Sequence, residues 1–172
     1  LGVSAKLQIA SEQRDLIYLV LHGTWAHNEM EIVRTLQDGL AERGQSSIAP
    51  NLSLGIDDRR GFLPCSSSMA PNYEHAVREL KHWVDYLRKE GWRAVVLLGH
   101  SRGGAQVTLF QLRHSDPLIA SMALLAPMLW REAEAVAQYE QVSKVSLSNV
   151  LSAAKQAPES IVGPYRLLQC DG

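Results

Sequence analysis

The sequence predicts an α/β fold, a mostly parallel sheet with helices on both faces in three layers. Three observations carry this prediction. Apolar runs of strand length recur at Leu16–Leu21, Ala94–Leu98 and Ile119–Leu125, as expected of strands buried on both faces. Segments with helical apolar spacing fall between them, at Met30–Leu40 and Pro71–Glu90. Strand and helix therefore alternate as β-α-β-α-β-α-β, the order of parallel strands joined by crossover helices.

Taken in order, Lys6–Ala10 reads as a short strand and Ser11–Asp15 as a polar turn. Leu16–Leu21 is the first core strand, followed by His22-Gly23-Thr24-Trp25. Asn28 with Glu31 three residues on has the pattern of a capping box. Met30, Val33, Leu36 and Leu40 make the apolar stripe of the helix it opens, and Gly44 stands at its stop. Ser46–Pro50 is a weaker strand.

The irregular segment Asn51–Ala70 holds Asp57-Asp58-Arg59-Arg60-Gly61, Cys65 and three consecutive serines. Loops of that length in compact domains commonly carry function. Within it Asp57 and Asp58 could contribute to substrate selection, but a solvated turn with Arg59 and Arg60 is the preferred reading. The helix Pro71–Glu90 is the clearest element. Tyr73, Ala76, Val77, Leu80, Val84 and Leu87 line one face, Pro71 suits the first turn and Gly91 ends it. His75 and His82 lie off that stripe and read as surface histidines. Ala94–Leu98 is a core strand, Gly103–His114 a helix and Ile119–Leu125 the fourth core strand. Beyond Pro127, Arg131–Gln141 and Ser146–Gln156 read as helices.

Composition narrows the function classes. The 172 residues are 46% hydrophobic and 20% charged, enough apolar content for one domain with a real core. Seventeen basic and 18 acidic residues give a net charge of −1, so bulk charge argues for neither a nucleic-acid nor a membrane-surface partner. The longest nearly apolar stretch, Leu118–Trp130, is interrupted by Ser121 and Pro127 and is too short to span a bilayer. Two cysteines, Cys65 and Cys170, make neither a structural zinc site nor a disulfide framework. The expectation is a soluble protein, with cytoplasmic and periplasmic or secreted locations both open.

Two motifs sit where strands of such a sheet end, the edge at which ligands bind. Gly99-His100-Ser101-Arg102-Gly103-Gly104 follows a strand and opens a helix. A serine exposed at so sharp a turn needs strained backbone angles, at a cost on the order of 1–3 kcal/mol. It also needs glycine two positions to either side, where strand and helix approach closely, and Gly99 and Gly103 supply this, with Gly104 adding room. The amide of Arg102, at the helix N-terminus, then points toward an oxyanion formed at Ser101. The bland alternative is a glycine-rich turn with an incidental serine. A phosphate loop fits less well, because neither the Lys-Ser/Thr ending nor the dinucleotide G-x-G-x-x-G spacing is present. The second motif, His22-Gly23-Thr24-Trp25, follows the first core strand. Gly23 permits a tight turn there. The Thr24 amide is the first choice for a second oxyanion donor and Trp25 the second, against the reading of a simple strand-ending turn.

These residues resemble the α/β-hydrolase family. Leu19-Val20-Leu21-His22-Gly23 is similar to its oxyanion-hole strand, and Leu97-Leu98-Gly99-His100-Ser101-Arg102-Gly103-Gly104 to its nucleophile elbow. The resemblance covers residues 5 to 130 in element order. It implies a serine hydrolase acting on esters or related small acyl compounds, with Ser101 as nucleophile, the Thr24 and Arg102 amides as oxyanion donors and His22 as a support of the oxyanion loop. It implies no cofactor and no metal. It also implies a core sheet over residues 1–127, with 128–172 as the start of a helical cap in the same domain.

The family's order is serine, acid, histidine, and the partners of Ser101 are not evident. His114 and Asp116 lie thirteen residues or more along, roughly 20 Å away at the far end of the following helix. His27, Glu132 and Glu134 are the remaining weak candidates for base or acid, and Asp171 stands at the extreme end. Two readings follow: the front portion of a longer hydrolase, which is preferred, or a catalytically silent hydrolase-like binding or interaction module. An acyltransferase using the same acyl-enzyme is a third. The strand Ile119–Leu125 is expected to be an exposed apolar edge through which chains could self-associate. Cys65 and Cys170, both leaving the same rim, could pair in an oxidising compartment or stay as thiols in a reducing one.

Overall fold

A computed structural model of the chain describes residues 2–63, 73–128 and 131–156. The chain divides into two compact units at Met128. The first holds a five-stranded sheet in the order β1-β3-β2-β4-β5. Its strands are β1 (Ser4–Gln8), β2 (Ile17–Leu21), β3 (Ser46–Asn51), β4 (Val95–His100) and β5 (Ile119–Leu125). The helices between them are α1 (Glu31–Ala41), α2 (Tyr73–Lys89) and α3 (Arg102–His114). The second unit contains α4 (Glu132–Ser143) and α5 (Leu147–Gln156).

The sheet is mostly parallel, as the alternation of elements predicts. β2 pairs in parallel with β3 and with β4, and β4 with β5, while β1 runs antiparallel to β3. The alternation along β2 creates the layers. Ile17, Leu19 and Leu21 pack with Ala76, Val77, Leu80, Val84 and Leu87 of α2 and with Val107 and Phe110 of α3. Val20 faces the other way and packs with Val33 of α1, Ala49 and Leu98. Fully burying a leucine such as Leu19 or Leu80 contributes about 1.5–3 kcal/mol, so the two faces of β2 anchor both helix layers.

Several local expectations need correction. The capping box at Asn28 does not form: α1 starts at Glu31 after Met30, with no side-chain cap bond. Asn28 instead donates from Nδ2 to the Ala49 carbonyl at 3.0 Å, tying the loop after β2 to β3. The first strand lies two residues earlier than Lys6–Ala10 and leaves Leu7 and Ile9 exposed. β3, the weaker strand by composition, is buried along its whole length. It is flanked on both sides, and its serines have partners: Ser46 Oγ accepts from the Ala10 amide at 3.1 Å and Ser47 Oγ from Gln37 Nε2 at 3.1 Å. β2 pairs with β3 only as far as Ile48, so Pro50 lies beyond that ladder.

Among the described residues β5 is an edge of the sheet, and beyond Ile119, which packs on the core, most of its side chains are exposed. Met122, Leu124 and Leu125 are 40%, 45% and 39% exposed, although their composition is that of a buried strand. No helix among the described residues is long and apolar enough to cross a membrane. The proposed pairing of Cys65 with Cys170, and Asp171, lie outside the described residues.

Candidate active site

β2 and β4 are parallel neighbours with Leu21 opposite Gly99, so the turns that follow them leave the sheet side by side. Ser101 caps α3 in the left-handed half of backbone space, at φ 54° and ψ −121°. A non-glycine residue persists there only when its surroundings hold it. Here they do: the Ser101 amide donates to Leu125 O at 3.0 Å, and the Ser101 carbonyl accepts from the amides of Gly104 at 3.0 Å and Met128 at 2.8 Å. The Ser101 side chain makes no cap bond, so Oγ is not spent on the helix.

The glycines are demanded by contact distances. A Cβ at Gly99 would lie 2.6 Å from the Gly103 carbonyl oxygen and from the Gly104 backbone. At Gly103 it would lie 2.5 Å from His22 O and 2.6 Å from Leu21 O, and at Gly104 2.8 Å from Pro127 Cβ. Strand, elbow and helix touch backbone to backbone, a closeness that an alanine methyl would prevent. The first amides of α3, beginning with Arg102, lie at the helix N-terminus immediately after Ser101, where the helix dipole favours developing negative charge.

The second loop also comes close. A Cβ at Gly23 would sit 3.1 Å from Ser101 Cβ, so the Gly23-Thr24 segment runs beside the serine. Thr24 Oγ1 is buried with no hydrogen-bond partner among the described residues. Trp25 adopts φ 52°, and its carbonyl accepts from the Leu63 amide at 3.0 Å. His22 is buried at the base of this loop, and Nδ1 lies 2.9 Å from Gly23 O. Its Nε2 accepts from the Leu52 amide at 3.2 Å. That partner set fixes a neutral ring protonated on Nδ1. Burial pushes the His22 pKa down to about 4; the bond to the Gly23 carbonyl opposes the shift, and the charge of Arg59 adds to it. A ring held in this way has no lone pair to offer Ser101.

Arg59 overturns the reading of a solvated turn. It is 4% exposed, whereas its neighbour Arg60 pairs with Asp58 at the surface. Arg59 Nε donates to Leu52 O at 2.6 Å and Nη1 to Gly61 O at 2.8 Å. Nη2 donates to Asn51 Oδ1 at 2.6 Å and Ala26 O at 2.9 Å, and lies 3.2 Å from His22 Nε2. Asn51 Nδ2 returns a bond to Arg59 O at 2.6 Å. Sequence reasoning missed this residue, because one buried arginine in an Asp-Asp-Arg-Arg run carries no local sign of burial.

All six histidines are among the described residues, and none is hydrogen-bonded to Ser101. His27 stacks edge-on against Phe62 and accepts from the Glu29 amide through Nδ1. His75 and His82 are exposed on α2. His100 Nδ1 is buried without a partner among the described residues, and His114 packs against Phe110 at the far end of α3. Asp116 is committed elsewhere: it pairs with Arg88 at 2.5 Å and accepts from the Leu118 amide. Glu132 and Glu134 belong to the second unit, where Glu134 pairs with Arg131.

Comparison with known proteins agrees with this architecture. Residues 14–162 match the family model described as serine aminopeptidase, S33. Among solved structures, Est1E from Butyrivibrio proteoclasticus with ferulic acid bound superposes with a TM-score of 0.60 at 19% identity, over 83% of this chain and 54% of that one. An esterase from Exiguobacterium antarcticum gives 0.58 at 16%, over 83% and 52%. The mouse alpha/beta hydrolase domain-containing protein 10 gives 0.61 at 12%, over 90% and 54%. The chain thus spans little more than half the length of these structures. No curated protein matches it.

Proposed function

The chain belongs to the serine aminopeptidase S33 family, with an α/β-hydrolase fold, and on that premise we propose that it is a serine hydrolase acting on esters or related acyl compounds. The observation that carries this reading is the backbone of Ser101, held at φ 54° and ψ −121° between β4 and α3 with its hydroxyl unspent.

In this reading Ser101 Oγ attacks the substrate carbonyl. The tetrahedral oxyanion is received by the amides of Thr24 and Arg102, and its collapse expels the leaving alcohol or amine and leaves an acyl-enzyme. Water then attacks the acyl carbon and releases the acid. Each preorganised amide stabilises charge present only in the transition state, and losing one typically costs ~10²–10³ in turnover. The glycines of the elbow let the two donor loops approach the serine. His22 supports the oxyanion loop from below as a neutral ring.

The proton of Ser101 Oγ needs a base, and none of the six histidines is bonded to that oxygen among the described residues. A second reading is a catalytically silent hydrolase-like module that binds acyl compounds or a partner. Hydrolysis of p-nitrophenyl esters of graded acyl length separates the two. The enzyme reading expects turnover that Ser101→Ala abolishes; a silent module expects binding with no serine-dependent release of nitrophenol. Adding an alcohol acceptor and analysing the products separates hydrolysis from acyl transfer.

A further inference from the structure

Arg59 is buried with neutral partners only: its hydrogen-bond acceptors among the described residues are three main-chain carbonyls, one amide oxygen and an imidazole nitrogen. A buried cation bonded only to neutral groups is expensive, and burial lowers the Arg59 pKa, with Glu79 opposing the shift by its charge. What distinguishes the site is how the acceptors divide. Leu52 O, Asn51 Oδ1 and Gly61 O belong to the end of β3 and the segment after it. Ala26 O and His22 Nε2 belong to the loop after β2. The planar fork therefore joins two loops that leave neighbouring parallel strands, and a planar five-donor group can hold several such acceptors at fixed angles.

The joined loop is the one that runs beside the nucleophile. His22 and Ala26 bracket Gly23, Thr24 and Trp25, and Gly23 is in tight contact with Ser101. We infer that Arg59 is the positioning residue of the oxyanion loop: by bridging Ala26 O and His22 Nε2 to the end of β3, it keeps the Gly23–Thr24 peptide fixed beside Ser101. The inference rests on the reading of Ser101 as nucleophile. Arg59 touches no reacting atom and acts only through the loop that it holds. A misplacement of about 1 Å in such a constellation costs ~10²-fold in rate.

The experiment measures the rate of phosphonylation of Ser101 by a fluorophosphonate in the intact protein, its Arg59→Ala and its Arg59→Lys. Circular dichroism identifies the folded variants. Folded Arg59→Ala is expected to react ~10²-fold more slowly. Millimolar guanidinium is expected to restore part of its rate by refilling the vacated site, and to leave the wild type unchanged. Arg59→Lys, which keeps the charge without the fork, is expected to stay slow. The His22 titration, followed by NMR, should rise from about 4 in Arg59→Ala, because a nearby positive charge and a donor to Nε2 are lost. A folded Arg59→Ala that reacts at the wild-type rate, or one whose slow reaction guanidinium leaves unchanged, overturns the inference. If Arg59→Ala does not fold, Asn51→Ala removes one acceptor of the same fork: ~10-fold slowing supports the role, and a wild-type rate overturns it. Should the wild type show no Ser101-dependent reaction, the hydrolase reading fails by itself, and the NMR amide signals of Gly23 and Thr24 still test the loop: displaced in folded Arg59→Ala they support the inference, unshifted they overturn it.

Discussion

Gly23 and Ser101, on the turns after neighbouring strands, are in such tight contact that a methyl group on Gly23 would lie 3.1 Å from Ser101 Cβ and 3.5 Å from its Oγ. The distance between the loop after β2 and Ser101 is thus set by the absence of one side chain. Gly23→Ala is expected to leave a folded protein with ester turnover reduced ~10–10²-fold, because the new methyl displaces either the loop or the serine. Steady-state kinetics on a p-nitrophenyl ester, alongside a thermal melt, checks this.

Gly103→Ala is predicted to act on stability as well. Its methyl would lie 2.5 Å from His22 O and 2.6 Å from Leu21 O, and backbone cannot yield as a flexible side chain can. The expected loss is about 1–3 kcal/mol, as for other overpacked sites. Urea unfolding measures it, and an unchanged midpoint would show that α3 can shift off β2 freely.

His22 makes stability depend on pH. Its pKa falls from 6.5 to about 4 on folding, so the unfolded chain binds a proton that the folded chain refuses. Stability is therefore full above pH 6.5 and falls as the pH drops toward 4, by roughly 3 kcal/mol over that window. Urea midpoints at pH 7 and pH 4.5 should differ more in the wild type than in His22→Asn, and equal differences would remove His22 as the cause.

The Arg88–Asp116 pair fixes the entry to β5 from a distance. Asp116 is 7% exposed and also accepts from the Leu118 amide. Asp116→Ala leaves that amide unpaired and should destabilise the fold by roughly 1–3 kcal/mol. Because the pair lies at the far end of α3 from Ser101, the rate of phosphonylation by a fluorophosphonate should not change in the folded variant.

The open edge of β5 leads to a prediction about association. A sheet edge that no other strand pairs among the described residues, flanked by Met122, Leu124 and Leu125, is a template for a second strand. Sedimentation of the 172-residue chain should show concentration-dependent self-association that Leu124→Lys reduces; a monomer at all concentrations would contradict it.

What could be read from the sequence follows how locally each feature is encoded. The strands at β2 and β4, the stripe of α2 and the strand-to-helix turn at Ser101 obey short-range rules of period and glycine spacing, and the structure has them within a residue or two. Features set by distant partners were misread. β3 lies where Ser46–Pro50 predicts it, but its full burial is not legible locally, because Ala10 and Gln37 satisfy Ser46 and Ser47 from elsewhere in the chain. Asn28 looked like a helix cap because of Glu31, but its amide reaches Ala49 instead. Arg59 looked solvated beside Asp57, Asp58 and Arg60, and only the meeting of two loops around it reveals its burial. No histidine is bonded to Ser101 among the described residues, and Asp116 and Glu134, the acids that spacing left open, pair with Arg88 and Arg131 instead.

The central claim is that Ser101 is an activated nucleophile, and mapping a fluorophosphonate adduct on the intact protein by mass spectrometry tests it most directly. The account predicts one adduct per chain, on the peptide containing Ser101, and none on Ser101→Ala. Folded wild-type protein that carries no adduct at Ser101, or labelling that persists in Ser101→Ala, would contradict it.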